Sequence, residues 1–130
     1  MLANLFVLLY AAHLVSDYAL QTDHQAEHKA LRSAAGWWAN LSHAATHVAV
    51  SAVALAAGAC ALELALSLSK ACGILVWVGV SHGFIDRRWP IRWWMENTGS
   101  KTFFQNGGAA FVDQTAHVTA LVIASLAGAA

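Results

Sequence analysis

The sequence contains four pairs of histidine and aspartate residues whose members are four positions apart. They are His13/Asp17, His43/His47, His82/Asp86 and Asp113/His117. Residues four apart share one face of an α-helix, and ionisable side chains inside or at the end of apolar stretches indicate function. Chance would give about one such pair in a chain of this composition. Imidazole and carboxylate groups at this spacing predict metal-ligand chemistry.

The eight side chains predict a centre that holds two divalent ions. Five histidines and three aspartates are too many for one closed four-coordinate zinc site, whereas helical bundles hold dinuclear centres with inward-facing ligands. Nitrogen and oxygen donors suit zinc, manganese, iron, nickel or cobalt, and zinc is the first hypothesis. Asp17 and Asp86 are the first candidates for a carboxylate that acts as a general base.

The composition predicts the helices that position these pairs. Hydrophobic residues make up 58% of the 130 residues, charged residues 11%, and the net charge is zero, so an integral membrane protein is favoured and no basic surplus points to nucleic acid. Four apolar segments occupy about 2–20, 37–62, 66–85 and 109–129. Each approaches the roughly 20 residues that span a bilayer as a helix. We therefore predict an all-α, polytopic membrane protein with four transmembrane helices and one domain, residues 1–130.

The first segment resembles a signal peptide in its position, but it lacks a basic leading region. It also carries His13 and Asp17 where a cleavable apolar core would end. We interpret it as a retained first transmembrane helix.

Lysine and arginine predict the orientation. Six of these seven residues lie in two loops: Lys29, Arg32, Arg87, Arg88, Arg92 and Lys101. The positive-inside rule places both loops in the cytoplasm and both termini outside. All four pairs then lie at one depth near the cytoplasmic face.

An internal repeat relates the two halves of the chain. His13/Asp17 and His82/Asp86 are offset by 69 residues, and His43/His47 and Asp113/His117 by 70. This predicts an up-down bundle of two repeated helical hairpins, about 1–62 and 66–130, with a pseudo-twofold axis along the membrane normal. Cys60 and Cys72 lie on either side of the turn between the halves, and a disulfide between them is left open.

Further polar residues are candidates for supporting roles. Gln21 and Gln114 are placed to orient a ligand or a bound water, and Lys29 to meet an anionic group at the cytoplasmic mouth. Arg87, Arg88 and Arg92 belong to a tryptophan-rich loop that suits the headgroup layer. This loop is interpreted either as an interfacial anchor or as a site for an anionic headgroup or phosphate.

The order of motifs resembles a known family. The motifs are H-x-x-x-D-Y-A-L-Q-T-D with Lys29 following, H-x-x-x-H, H-x-x-x-D and D-Q-x-x-H. Together they resemble the domain of unknown function 3307, small membrane proteins of bacteria and their phages. The resemblance covers nearly the whole chain and implies a multi-pass protein of the bacterial cytoplasmic (inner) membrane. Arg87 and Arg88 stand where a lysine is expected. A looser similarity to membrane-bound metal-dependent hydrolases is analogy.

Two functions of different classes are compatible with the sequence, and in a third hypothesis the metal has only a structural role. The first is an intramembrane metal-dependent hydrolase that acts on a lipid, a lipid-linked compound or another amphiphilic ester or phosphoester. The alternative is a divalent metal or proton transporter, although the outer halves of the helices hold almost nothing polar. The third is a membrane interaction module stapled by metal. Membrane lipid is the expected partner, while a homo-oligomer and a protein partner are left open.

Overall fold

The computed structural model describes residues 1–130 and contains helices but no strands. The helices are α1 (Leu2–Leu14, continued by a π-helical turn at Val15–Ala19), α2 (Asp23–His28), α3 (Ala34–Ala61), α4 (Leu68–Ile85), α5 (Trp89–Asn97), α6 (Lys101–Phe103, followed by a kinked π-helical turn at Phe104–Gly108) and α7 (Ala109–Ala129). Four stretches are long and apolar enough to cross a membrane. The prediction of an all-α fold with four candidate transmembrane helices is confirmed.

Local sequence signals set where several helices begin. The Thr22 hydroxyl accepts from the Gln25 amide, and the Gln25 side chain accepts from the Thr22 amide, which forms a capping box for α2. Ser33 caps α3 through the amide of Gly36, and Ser67 caps α4. A Cβ atom at Gly36 would clash with the carbonyl of Leu31, so a glycine is needed for this close turn.

The four long helices form a square bundle. Helix α1 packs against α3 and α7, and α4 packs against the same two helices. The connection between α3 and α4 is short, which makes them antiparallel neighbours. Helix α2 packs on α3, and α5 packs on α4 and α7. Each half of the chain thus begins and ends with a long helix, with α2 between them in the first half and α5 and α6 in the second, while the duplication itself stays a prediction.

The exterior of the bundle is apolar and its interior is unusually polar. Large side chains that are more than 60% exposed on the long helices include Val7, Val53, Leu68, Val76, Val80 and Phe111. Conversely, 13 of the 32 buried residues are polar or charged. An apolar surface around a polar interior is what a lipid environment favours, and the fold is that of a membrane protein.

An apolar plug fills one end of the bundle. It consists of eight buried residues: Leu5, Leu9, Leu55, Leu64, Ile74, Val78, Leu121 and Ala124. The opposite end carries the two loops that contain six of the seven lysines and arginines, and we refer to it as the basic end. Cys60 and Cys72 lie beyond the plug, where both are exposed and unpaired. The buried histidines and aspartates lie between the plug and the basic end.

Candidate metal centre

Asp17 lies at the middle of a cluster of imidazoles. Its Oδ1 atom is 3.1 Å from His43 Nε2, 3.0 Å from His47 Nε2 and 3.6 Å from His82 Nε2. Its Oδ2 atom is 3.2 Å from His13 Nε2. The carboxylate is therefore surrounded by histidines from α1, α3 and α4, because the π-helical turn at the end of α1 directs Asp17 into the bundle.

Asp86, the residue that ends α4, occupies a comparable position. Its Oδ2 atom lies 3.1 Å from His82 Nε2 and 3.5 Å from His43 Nε2. Its Oδ1 atom lies 3.9 Å from His117 Nε2 and 2.9 Å from Lys29 Nζ. His43 and His82 therefore contact both carboxylates and connect the two halves of one continuous centre.

The distances and the unpaired atoms fit bound cations. Two ligands that share one zinc ion lie about 2.9–3.5 Å apart, because each is about 2.0–2.2 Å from the metal. His82 Nε2 and Asp86 Oδ2 are 3.1 Å apart, yet neither makes a hydrogen bond, and His117 Nε2 also lacks a partner. Buried polar atoms left without a partner are rare, and atoms that converge in this way favour a metal between them.

Three overlapping groups have ligand atoms within 4.8 Å of one another. They are His13, Asp17, His47 and His82; His43, His82 and Asp86; and Asp86, Asp113 and His117. All eight side chains that the sequence predicted as ligands are thus brought together at one level of the bundle. His82 and Asp86 each belong to two of the three groups, so neighbouring groups share ligands.

A small void lies beside the first of these groups. Its volume is about 10 Å³, and its lining includes His13, His47, His82 and His117 together with Ser51. That volume is close to the minimum for a single water molecule or an ion of similar size. Four imidazoles therefore border a space of about the size of one water molecule or ion.

Asp113 differs from the other two aspartates. The backbone carbonyl of Asp113 lies 3.0 Å from His117 Nδ1, and its carboxylate lies 3.4 Å from the same atom. Contact at Nδ1 fixes the ring and leaves Nε2 free to face Asp86, as in many metal sites where a histidine is held by its second nitrogen. Asp113 therefore orients His117, and its partly exposed carboxylate also reaches the opening of the centre.

The two glutamines lie where supporting residues were predicted. The Gln114 side-chain oxygen is 3.3 Å from His13 Nε2, and Gln21 donates to the backbone carbonyl of Asp17 at 3.3 Å. Gln21 thus supports the π-helical turn rather than a ligand side chain. His24 and His28 stay apart from the centre, with their exposed rings stacked at 4.3 Å in α2.

The centre opens at the basic end into a cavity of about 660 Å³, which we name the vestibule. Asp86 and Asp113 lie at its inner side, and Lys29, Arg88 and Arg92 line it as well. Arg88 and Arg92 are exposed, whereas Lys29 is buried against Asp86. A cavity with this surplus of positive charge suits an anionic group.

Arg87 links two parts of the backbone, while the predicted role in binding an anionic group stays a prediction. Its Nη1 atom donates to the carbonyl of Lys29 at 2.9 Å, and its Nη2 atom donates to the carbonyl of Leu31 at 2.7 Å. Its guanidinium also stacks on Trp37 at 4.1 Å. The buried side chain therefore joins the loop before α3 to the end of α4, and it holds the segment that carries Lys29.

This arrangement predicts a stability difference between two arginine variants. Arg87→Gln should lower the free energy of unfolding by about 2 kcal/mol, because it removes charged donors from two backbone carbonyls. Arg92→Gln should change it by less than about 0.5 kcal/mol, since Arg92 is 65% exposed and pairs only with Glu96. Thermal unfolding in detergent measures both, and equal unfolding temperatures would contradict the role of Arg87.

Sequence reasoning missed two buried polar residues beside the ligands. Asn40 donates to the carbonyl of Gly83 at 3.0 Å and thereby ties α3 to α4 next to His82. Ser51 lines the void. Both extend the helical spacing of His43 and His47 along the same face of α3, which is the signal that could have identified them.

The fold and the cluster define a class: a small helical membrane protein with a buried histidine–aspartate centre open at one end. Within this class, the chain belongs to the family described as protein of unknown function DUF3307, which matches residues 5–129. The resemblance inferred from the motifs is confirmed. Comparisons with curated proteins and with solved structures found no match. Because the family description names no activity, the function has to be argued from the site.

Proposed function

We propose that this protein is a metal-dependent hydrolase that acts on a lipid, a lipid-linked compound or another amphiphilic ester or phosphoester. One observation carries the proposal: the histidine–aspartate centre opens through Asp86 and Asp113 into a vestibule lined by basic side chains. A purely structural metal site is closed, whereas a catalytic one keeps access for water and substrate.

The donor set suits two divalent ions, with zinc as the first hypothesis. His13, Asp17 and His47 would hold one ion, and His43 with Asp86 the other, while His82 belongs to both groups; Asp113 and His117 lie next to Asp86 in a third group. Ions in such a centre would supply Lewis-acid activation of water and of the scissile carbonyl or phosphoryl group.

Asp86, Asp17 and Lys29 would have different roles in the reaction. Asp86 is better placed than Asp17 to reach a substrate, because Asp86 lines the vestibule and Asp17 does not. Asp17 is enclosed by four imidazoles and suits the role of ligand. The Lys29 ammonium, 2.9 Å from Asp86 Oδ1, adds a positive charge where an anionic group would enter.

The apolar plug favours hydrolysis over transport. A transport path needs polar groups on both sides of the transit site, but eight buried apolar residues fill the bundle beyond the histidines. The buried Ser125 in that region already donates to the backbone carbonyl of Leu121. An opening on one side only supports chemistry at that face.

Orientation and location complete the proposal. The basic end should face the cytoplasm of a bacterial cell, since lysine and arginine accumulate on that side of the inner membrane. The vestibule would then meet the headgroups of the cytoplasmic leaflet, from which an amphiphilic substrate can enter.

Metal removal and a lipid panel test the proposal. The purified protein should hold about two divalent ions per chain and hydrolyse at least one phospholipid or lipid phosphate, with products identified by mass spectrometry. A chelator should abolish turnover, and the added metal should restore it. Metal flux into liposomes that disappears in His43→Ala, without turnover of any lipid, would instead establish the transporter.

A further inference from the structure

A crevice of about 790 Å³ runs along the outside of the bundle between α3 and α4, and we name it the α3/α4 crevice. Its lining is almost entirely apolar and includes small residues on both helices, Ala44 and Ala45 on α3 and Gly79 and Gly83 on α4. It lies on the surface that the four apolar helices present to lipid. Its size comes from the absence of large side chains at these positions.

A matching crevice of about 600 Å³ lies between α1 and α7. Its residues stand at the positions related to the first crevice by the offsets of 69 and 70 residues. Tyr10 corresponds to Gly79, Leu14 to Gly83 and Thr115 to Ala45. The second crevice therefore carries bulky or polar side chains where the first has small apolar ones. Of the two crevices, the α3/α4 crevice has the more apolar lining, which favours a hydrocarbon chain.

The α3/α4 crevice also reaches the vestibule. Arg87 and Trp89 line both cavities, so they mark the junction between them. At the position that corresponds to Arg87, the α1/α7 crevice has Tyr18 and shares no lining residue with the vestibule except Ala110. A molecule with its chain in the α3/α4 crevice would place its polar end beside Lys29, Arg88 and Arg92.

We propose that the α3/α4 crevice binds the hydrocarbon chain of a membrane lipid whose phosphate group occupies the vestibule. This deepens the proposed function by naming the substrate class, an anionic phospholipid, and the side from which it enters. Three features carry it: the apolar lining, the continuity with the vestibule at Arg87 and Trp89, and the positive charge at that end. The phosphate supplies charge complementarity, and the chain supplies contact with the apolar walls.

Photolabelling in nanodiscs tests this proposal without relying on turnover. The probe is phosphatidic acid with a diazirine on one acyl chain, and phosphatidylcholine with the same chain is the comparison lipid. Adducts of phosphatidic acid should concentrate on the walls of the α3/α4 crevice, at Leu41, Val76 and Val80, as located by peptide mass spectrometry. Phosphatidylcholine should label them several-fold less, because its headgroup carries no net charge.

A matched pair of variants distinguishes the two crevices. Ala45→Phe fills the α3/α4 crevice and should reduce its labelling about tenfold, whereas Thr115→Phe at the corresponding position should leave that labelling unchanged. Ala45 and Thr115 are both exposed, so neither change disturbs the core. Gly79 is less suitable, because an added Cβ would lie 2.8 Å from Val48 Cγ2.

The outcomes separate lipid binding from catalysis. Equal labelling of both crevices, equal labelling by both lipids, or no effect of Ala45→Phe would overturn the proposal and indicate ordinary bilayer contact. Labelling of the α3/α4 crevice should persist in Asp17→Asn, since this carboxylate lies outside the crevice. Crevice-specific labelling in a protein that hydrolyses no lipid would keep the binding site and reject the hydrolase.

Discussion

Replacing Asp17 by asparagine should remove most of the bound divalent metal. The carboxylate lies within 3.6 Å of four imidazole nitrogens, and no other side chain occupies that position. An amide has nearly the same size but no charge, so it neither balances a dication nor binds it strongly. Losing even an outer partner of a ligand weakens metal binding about 10- to 100-fold, and losing a ligand should weaken it more.

Metal analysis of the purified variant measures this effect. Asp23→Asn is the matched control, because Asp23 is exposed in the first turn of α2 and lies outside the centre. It should keep the full metal content, and hydrolysis should disappear only in the Asp17 variant. His82→Gln is a second test, since His82 lies beside both carboxylates. Full metal content in both Asp17→Asn and His82→Gln would rule out the centre.

Replacing Lys29 by methionine should reduce lipid hydrolysis strongly while the metal stays bound. Lys29 is 8% exposed, lies 2.9 Å from Asp86 and lines the vestibule. In the proposed hydrolysis, its charge would stabilise the negative charge that develops on a phosphoryl group. Loss of one such donor typically lowers the rate about 10²- to 10³-fold, and we expect kcat/KM to fall within that range.

Metal content and kcat/KM must be measured on the same variant, because together they distinguish a loss of metal from a loss of contact with the substrate. Lys101→Met is the control, since Lys101 is exposed in α6 and does not line the vestibule. It should leave kcat/KM within about twofold of the original value. If Lys29→Met loses its metal together with its activity, Lys29 supports Asp86 as a ligand and does not act on the substrate.

The helices and the ligand layer could be predicted because their signals are local. A residue four positions from its partner shares its helix face whatever the rest of the chain does, and apolar length alone marks a candidate transmembrane helix. Chain order through an up-down bundle then brings His13 and His82 to one level. The small residues that line the α3/α4 crevice are visible in the sequence. The sequence does not show that they form a crevice, which becomes clear only when they are compared with the larger residues at the corresponding positions between α1 and α7.

The contacts between the two loops could not be predicted in this way. Arg87 is 58 residues from Lys29 along the chain, and its hydrogen bonds go to backbone carbonyls, which carry no side-chain signal. The arginines and tryptophans of this loop predicted either an interfacial anchor or a site for an anionic group, and neither interpretation identified these hydrogen bonds. Arg87 is buried and stacks on Trp37, and the next residue, Arg88, has a φ of 60° in the left-handed region, which sequence alone does not reveal for a non-glycine residue.

The hydrogen bonds between Arg87 and the loop before α3 have a consequence for the order in which the protein is assembled. They tie a residue that is synthesised late to a loop that leaves the ribosome much earlier, and Asp17 finds its imidazole partners on α3 and α4. Until α4 has entered the bilayer, α1 must hold an aspartate without its full set of partners, which is unfavourable in lipid. The first hairpin is therefore expected to mature only when the second arrives, and the proposed metal would be loaded after that step.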